Sequence, residues 1–197
     1  YERFVRLLAG RVGQEINYSA IGVEVGVDAK TVQSWLSVLE SSFIIYRLRP
    51  YHKNFNKTVV KRPKLYFYDT GLVSSLLGIK EIEQLTFHPL RGALFENMVV
   101  SEWIKQLSNR GIIGGTYFWR DKTGREIDFI IDFKGKSIPI EIKSGQTVKK
   151  DFYKHLKYWS KLTGDSKAYV AYAGKDREEH SDNIIVENWR KINITEL

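Results

Sequence analysis

Two apolar runs with interspersed charges constrain the C-terminal half of this 197-residue chain more than any other feature. The first run, residues 126–131, contains Asp128, and the second, residues 138–143, contains Glu141 and Lys143. Side chains two residues apart on a strand point to the same face, so Glu141 and Lys143 should project together. A hairpin between the two strands would bring Asp128 beside them. Two carboxylates and a lysine on otherwise apolar strands are costly to bury unless they serve a ligand.

The pattern around these runs predicts a helix, three strands, a second helix and a further strand, in that order. The predicted helices cover residues 94–107 and 148–162. The predicted strands cover residues 116–120, 126–133, 137–143 and 167–172, with another short strand at 183–186. We place a domain boundary near residue 80, so that residues 81–197 form one domain of an α/β (α+β) protein.

Residues 1–80 are predicted to form a smaller, mainly helical domain. Asn17 or Ser19 can cap a short helix, and Asp28 can cap the next one after a tight turn at Gly26. Gly22 supplies a small residue where these two helices approach each other. A β-like segment at residues 43–48, a strand at residues 64–69 and a short helix at residues 72–77 follow.

This N-terminal order resembles a winged helix-turn-helix, in which the helix after the turn can enter the major groove of DNA. The exposed candidates for DNA contact on that helix are Lys30, Thr31, Gln33 and Ser34. Lys53 and Lys57 belong to a basic segment that suits a wing. The alternative is that the module docks on a protein and that its basic residues are simply solvated.

The formal charge of +8 and the isoelectric point near 9.5 favour a polyanionic partner, most simply nucleic acid. Further candidates for phosphate contact flank the predicted hairpin or lie at the start of the second helix: Arg120, Arg125, Lys150 and Lys154. A basic helix face is equally typical of an ordinary solvated surface.

Several function classes are excluded or disfavoured by what the sequence lacks. The absence of cysteine excludes disulfides and thiolate metal sites, and it fits a reducing compartment, so we expect a cytoplasmic protein. No apolar stretch reaches the roughly 20 residues that span a bilayer. No P-loop motif is present, so this chain should not hydrolyse ATP by itself. The histidines, His52, His88, His155 and His180, show no ligand spacing, and we assign them no role.

The charged cluster matches the requirements of phosphodiester hydrolysis. The phosphate charge must be neutralised and a water activated, and Mg²⁺ supplies much of both. Mg²⁺ prefers oxygen ligands such as the carboxylates of Asp128 and Glu141. Lys143 can hold the attacking water or stabilise developing negative charge. The alternative is a cross-strand ion pair on a solvent-facing surface, which alternating strands often carry.

The spacing Asp…Glu-X-Lys resembles the catalytic motif of the PD-(D/E)XK nuclease superfamily, whose core has the order helix, three strands, helix and strand. The resemblance implies that Asp128, Glu141 and Lys143 are the catalytic residues. In that superfamily an acidic residue on the preceding helix often joins the site, which makes Glu96 the candidate. The implied metal ligands are then Glu96, Asp128 and Glu141. Such domains also occur as nucleic-acid-binding modules that do not cut.

The chain as a whole resembles the C-terminal region of a prokaryotic AAA-type ATPase family. The resembling stretches are residues 64–72 (KLYFYDTGL), 92–97 (GALFEN), 117–120 (YFWR), 126–130 (EIDFI) and 141–144 (EIKS). The resemblance implies that an ATPase module precedes Tyr1, that ATP binds there, and that this module is a partner of the present chain. It implies no established reaction and no oligomeric state.

Overall fold

The computed structural model describes residues 1–52, 60–133, 136–164 and 167–197, and for Lys150 it describes the backbone alone. The chain divides into two compact units. The N-terminal unit combines Tyr1–Leu48 with Arg62–Ser101, and the C-terminal unit combines Arg49–Lys61 with Glu102–Leu197. The domain boundary near residue 80 stays a prediction.

The N-terminal unit is mainly helical, as the sequence predicts. Its helices are α1 (Glu2–Ala9), α2 (Tyr18–Val25), α3 (Ala29–Ser41), α4 (Thr70–Leu76), α5 (Ile82–Thr86) and the first part of α6 (Arg91–Asn109). Its two strands, β1 (Ile45–Leu48) and β2 (Lys64–Phe67), pair antiparallel. No helix is predicted from the sequence at residues 82–86, so α5 was missed.

The N-terminal unit has its own apolar core. Leu8, Val32, Leu36 and Phe67 are completely buried in it, because the apolar stripes of the helices face the small hairpin.

α6 is the longest of the described helices, with 19 residues. None of the helices in the described part of the chain is long and apolar enough to cross a membrane.

The connection between α2 and α3 follows the predicted capping. The side chain of Asn17 accepts a hydrogen bond from the backbone N–H of Ala20 at 3.2 Å, and Asp28 accepts one from Thr31 at 2.6 Å. Both bonds satisfy N–H groups that a helix start leaves without partners. Gly26 ends α2 with a φ of 78°, a left-handed conformation that glycine adopts at low cost.

The C-terminal unit contains, within the described residues, a six-stranded mixed sheet with the order β3-β4-β5-β6-β8-β7. Its strands are β3 (Thr116–Arg120), β4 (Glu126–Phe133), β5 (Lys136–Lys143), β6 (Ala168–Tyr172), β7 (Glu178–Glu179) and β8 (Ile184–Asn188). The pairs β5–β6 and β6–β8 are parallel, and the remaining pairs are antiparallel.

Helices cover the sheet of the C-terminal unit. A 3-10 turn (Lys150–Tyr153) leads into α7 (Lys154–Thr163), which buries Leu156 and Trp159 in one core cluster with Ile130. Trp103 of α6 meets Phe129 of β4, with 5.5 Å between ring centroids. Because Phe129 and Ile130 are adjacent on β4, their side chains point to opposite faces, and both faces of the strand are therefore buried.

The predicted strands at residues 116–120 and 126–133 are confirmed with the same bounds. The predicted helix at residues 148–162 is interrupted, because a 3-10 turn occupies its first part. The short strand β7 was missed, since Glu178 and Glu179 are both exposed and carry no apolar alternation. The order of helix, three strands, helix and strand is present in the structure.

We predict that Gly22→Ala destabilises the N-terminal unit by about 1–3 kcal/mol, because overpacking a close contact forces a backbone shift. A Cβ at Gly22 would lie 2.5 Å from the carbonyl oxygen of Val27. Urea unfolding measures the free energy.

The matched control is Gly92→Ala, because Gly92 lies in α6 and an added Cβ there would meet nothing within 4 Å. This control should be neutral or stabilise the protein by up to about 1 kcal/mol through helix propensity. Equal effects of the two substitutions would contradict the close approach at the α2–α3 turn.

Candidate catalytic and metal-binding site

The register between β4 and β5 determines how the predicted catalytic residues lie relative to one another. The two strands pair antiparallel, with Phe129 opposite Ile140. Continuing this register by one residue sets Asp128 opposite Glu141. Directly opposite residues share a face of the sheet, and Lys143, two residues further along β5, shares it as well.

The carboxylates of Asp128 and Glu141 both approach the ammonium nitrogen of Lys143. The Nζ of Lys143 lies 2.6 Å from Oε2 of Glu141 and 3.5 Å from Oδ2 of Asp128. Oδ2 of Asp128 also accepts a hydrogen bond from the backbone N–H of Ile142 at 2.8 Å. The prediction that a hairpin brings Asp128 beside Glu141 and Lys143 is therefore confirmed, and their chemical roles stay predictions.

The two carboxylates lie in a desolvated environment. Glu141 is 2% exposed and Asp128 is 8% exposed. Burial and the nearby charge of Asp128 together raise the pKa of Glu141 to about 7, although His155 and Lys143 act against this shift. Two acidic groups this close resist double ionisation unless a cation compensates them.

His155 of α7 is the member of this cluster that sequence reasoning missed. Its Nδ1 lies 3.5 Å from Oε1 of Glu141, and this interaction raises the pKa of His155 above its usual value. Helical periodicity in the sequence, rather than the spacing of metal ligands, could have identified His155. His155 follows the buried Phe152 by three residues and precedes the buried Trp159 by four, which places it on the helix face that covers the sheet.

Glu96 lies in a second charged cluster, in the N-terminal unit. Its Oε1 accepts hydrogen bonds from Nζ of Lys64 at 2.9 Å and from the hydroxyl of Tyr66. The Lys64 side chain is only 3% exposed, so Glu96 compensates a buried ammonium group. The neighbouring Asn97 accepts from Phe67 N–H at 2.7 Å.

A metal-binding role for Glu96 stays a prediction. Across the described ranges, no group of three or more His, Asp or Glu residues is placed to hold a metal ion. The pairing with Lys64 explains why α6 carries a carboxylate at position 96.

The candidates for DNA contact on α3 are mostly accessible. Lys30, Gln33 and Ser34 are exposed, whereas Thr31 is half-buried. Lys53 and Lys57 lie outside the described residues, and so does the side chain of Lys150.

The arginines that flank the β3–β4 turn have acidic partners. Arg120 lies 3.4 Å from Glu126, and Arg125 lies 3.2 Å from Asp121. The guanidinium of Arg125 also lies over the ring of Tyr158, 4.3 Å from its centroid. Lys154, at the start of α7, is exposed. The side chains of Arg120 and Arg125 are 41% and 42% exposed, so both cations stay accessible, although the partner Asp121 is buried.

Comparison with known proteins places the chain among families without an assigned function. The family described as domain of unknown function DUF4143 matches residues 91–192. The family described as domain of unknown function DUF8612 matches residues 1–83.

Two similar proteins are uncharacterized proteins of mycobacteria: Rv2008c of Mycobacterium tuberculosis and Mb2031c of Mycobacterium bovis. Each is 28% identical to this chain over 141 residues, which is 72% of this chain and 31% of the relative. The match thus covers less than a third of the length of either relative.

We predict that the metal-free protein loses stability as the pH rises between about pH 5 and pH 8. The folded-state pKa of Glu141, about 7, is above its unfolded value of 4.5, so the folded state holds the proton more tightly and ionisation opposes folding. The raised pKa of His155 acts in the same direction, because the favourable charge on its imidazole is lost as the pH rises through the folded-state pKa. The unfolding free energy in urea should fall by up to about 3 kcal/mol.

Glu141→Gln should flatten this pH dependence, because it removes the buried carboxyl and the charge partner of His155. The matched control is Glu187→Gln, which neutralises another buried carboxylate, one that pairs with Arg177 at 3.2 Å. An unchanged slope in Glu141→Gln would contradict the proposed coupling of Glu141, Asp128 and His155.

Proposed function

The chain belongs to the family described as domain of unknown function DUF4143, and we propose that it is the nucleic-acid-binding, nuclease-like region of a longer AAA-type ATPase. The proposed reaction is Mg²⁺-dependent hydrolysis of a phosphodiester bond. One observation carries this proposal: the buried carboxylates of Asp128 and Glu141 converge on Nζ of Lys143, at 3.5 and 2.6 Å.

The architecture supports a PD-(D/E)XK type of domain. The last part of α6, the antiparallel strands β3, β4 and β5, then α7 and the parallel strand β6 follow the order of that fold. In the N-terminal unit, α2, the tight turn and α3 support a winged helix-turn-helix. Exposed Lys30, Gln33 and Ser34 on α3 would then face DNA.

The donor set fits a magnesium ion. Mg²⁺ sites commonly use one or two carboxylates and complete their shell with water and phosphate oxygens. Asp128 and Glu141 would hold the ion, which would relieve the repulsion that raises the pKa of Glu141. A bound Mg²⁺ supplies charge neutralisation on the phosphate and lowers the pKa of a coordinated water.

Lys143 would act on the reacting atoms themselves. Its ammonium group is close enough to both carboxylates to be oriented by them. In that orientation it can hold the attacking water or stabilise the negative charge that develops on the phosphate. The Ile142 N–H bond to Asp128 keeps one carboxylate in place while the substrate binds.

A second candidate function is a non-catalytic module that docks on DNA or on a protein. The placement of Lys143 favours it, because an ammonium group between two carboxylates already compensates their charge. In that case the cluster is a structural ion-pair network, and the partner is DNA or the ATPase module.

The ATPase belongs to the proposal for the whole protein. Both mycobacterial relatives are much longer than the matched region, which makes up 31% of the length of each relative. We propose that ATP binds in an N-terminal module, since this chain has no P-loop motif. That module would be the intramolecular partner of the present chain.

With Mg²⁺ or Mn²⁺, we predict cleavage of DNA or RNA that falls at least about 100-fold in Asp128→Asn, Glu141→Gln and Lys143→Met. Each substitution removes a charge from the cluster while keeping a similar shape. Gel assays on linear, nicked and single-stranded substrates measure the rate.

The control for this experiment is Glu187→Gln, which neutralises a buried carboxylate in β8, outside the cluster. It should cleave at the wild-type rate. If the full-length protein with ATP cleaves none of these substrates, the catalytic proposal is overturned and the docking function remains.

Nucleic-acid binding is a separate prediction. Affinity measured by fluorescence anisotropy should fall steeply with salt, and Lys30→Gln or Lys154→Gln should each reduce the slope by about 1 if the lysine neutralises one phosphate.

Lys80→Gln is the matched control, since Lys80 is also exposed and lies between α4 and α5 of the N-terminal unit, outside α3. It should leave the salt slope unchanged. Binding that is absent, or that is insensitive to salt, would contradict a nucleic-acid partner and favour protein docking.

A further inference from the structure

The two oxygens of the Glu141 carboxylate have different surroundings. Oε2 lies 2.6 Å from Nζ of Lys143, which also approaches the carboxylate of Asp128. Oε1 is buried and makes no hydrogen bond with any residue in the described part of the chain. An unsatisfied buried carboxylate oxygen is costly, so a nearby donor should be held ready for it.

A donor close to this oxygen belongs to α7. Nδ1 of His155 lies 3.5 Å from Oε1 of Glu141, which permits attraction and needs only a small closing movement to form a hydrogen bond. The ring sits on a rigid support, because Leu156 and Trp159 of the same helix are completely buried against the sheet. The imidazole side chain keeps about a third of its surface exposed.

We infer that His155 is a positioning residue: its Nδ1–H holds Oε1 of Glu141 and thereby directs Oε2 toward Lys143 and the metal. This inference rests on the proposed function of the site. A hydrogen bond to one oxygen restricts the rotation of the carboxylate, so the other oxygen stays directed at the ligand with little reorganisation. Groups behind a metal ligand typically change metal affinity 10- to 100-fold when they are removed.

Two substitutions at position 155 separate a hydrogen-bonding role from a packing role. His155→Asn keeps an N–H donor near the position of Nδ1, whereas His155→Leu keeps the bulk and removes the donor. His52→Leu is the matched control, because His52 is an exposed histidine of the same unit. Thermal unfolding of each variant checks that the fold is intact.

The first readout needs no metal. In protein labelled with ¹³C at glutamate side chains, the carboxyl resonance of Glu141 is identified by its loss in Glu141→Gln. This resonance should move in His155→Leu and stay near its wild-type position in His155→Asn and His52→Leu. A resonance that does not move in His155→Leu overturns the contact between His155 and Glu141.

The second readout is the affinity for Mn²⁺, measured by electron paramagnetic resonance of the free ion. His155→Leu should weaken binding about 10- to 100-fold, and His155→Asn should restore most of the affinity. Equal affinity of wild type and His155→Leu overturns the positioning role.

The two readouts also separate this inference from the proposed function. If the wild type binds no Mn²⁺, the proposed metal site fails, and His155 loses the metal-directing role inferred for it. The resonance of Glu141 still decides whether the contact itself exists.

Discussion

The antiparallel register between β4 and β5 determines where every charged group of the candidate site lies. With Phe129 opposite Ile140, the next residues, Asp128 and Glu141, face each other on one side of the sheet. A shift by one residue would move Asp128 to the other face, where Phe129 packs on Trp103. The apolar residues therefore specify the register, and the register assembles the charged cluster.

The energetic cost of this assembly is electrostatic. Two carboxylates that are almost completely buried lie beside each other, and burial together with Asp128 raises the pKa of Glu141. Lys143 compensates part of the charge, and His155 approaches the remaining oxygen. A sheet that only needed stability would be better served by apolar residues at these positions, since replacing buried ion pairs by apolar side chains is often neutral or stabilising. This cost is the physical reason for proposing that the cluster binds a ligand.

The sequence predicts the strands and the convergence of Asp128, Glu141 and Lys143 because both follow from local alternation and a short hairpin. It does not predict the contact of His155, because that contact depends on how α7 crosses the sheet. The partners of Glu96 were missed for a similar reason. Lys64 lies far from Glu96 along the chain, and nothing in a strand pattern indicates that a lysine will be buried beside a helix.

Anomalous diffraction from crystals soaked in Mn²⁺, recorded near the manganese absorption edge, tests the metal site directly. We expect a peak within coordination distance of both Asp128 and Glu141, with the ammonium group of Lys143 displaced from between the two carboxylates. A fully soaked crystal with no peak there, and with Lys143 still bridging the carboxylates, would contradict the metal site and leave the cluster as an ion-pair network.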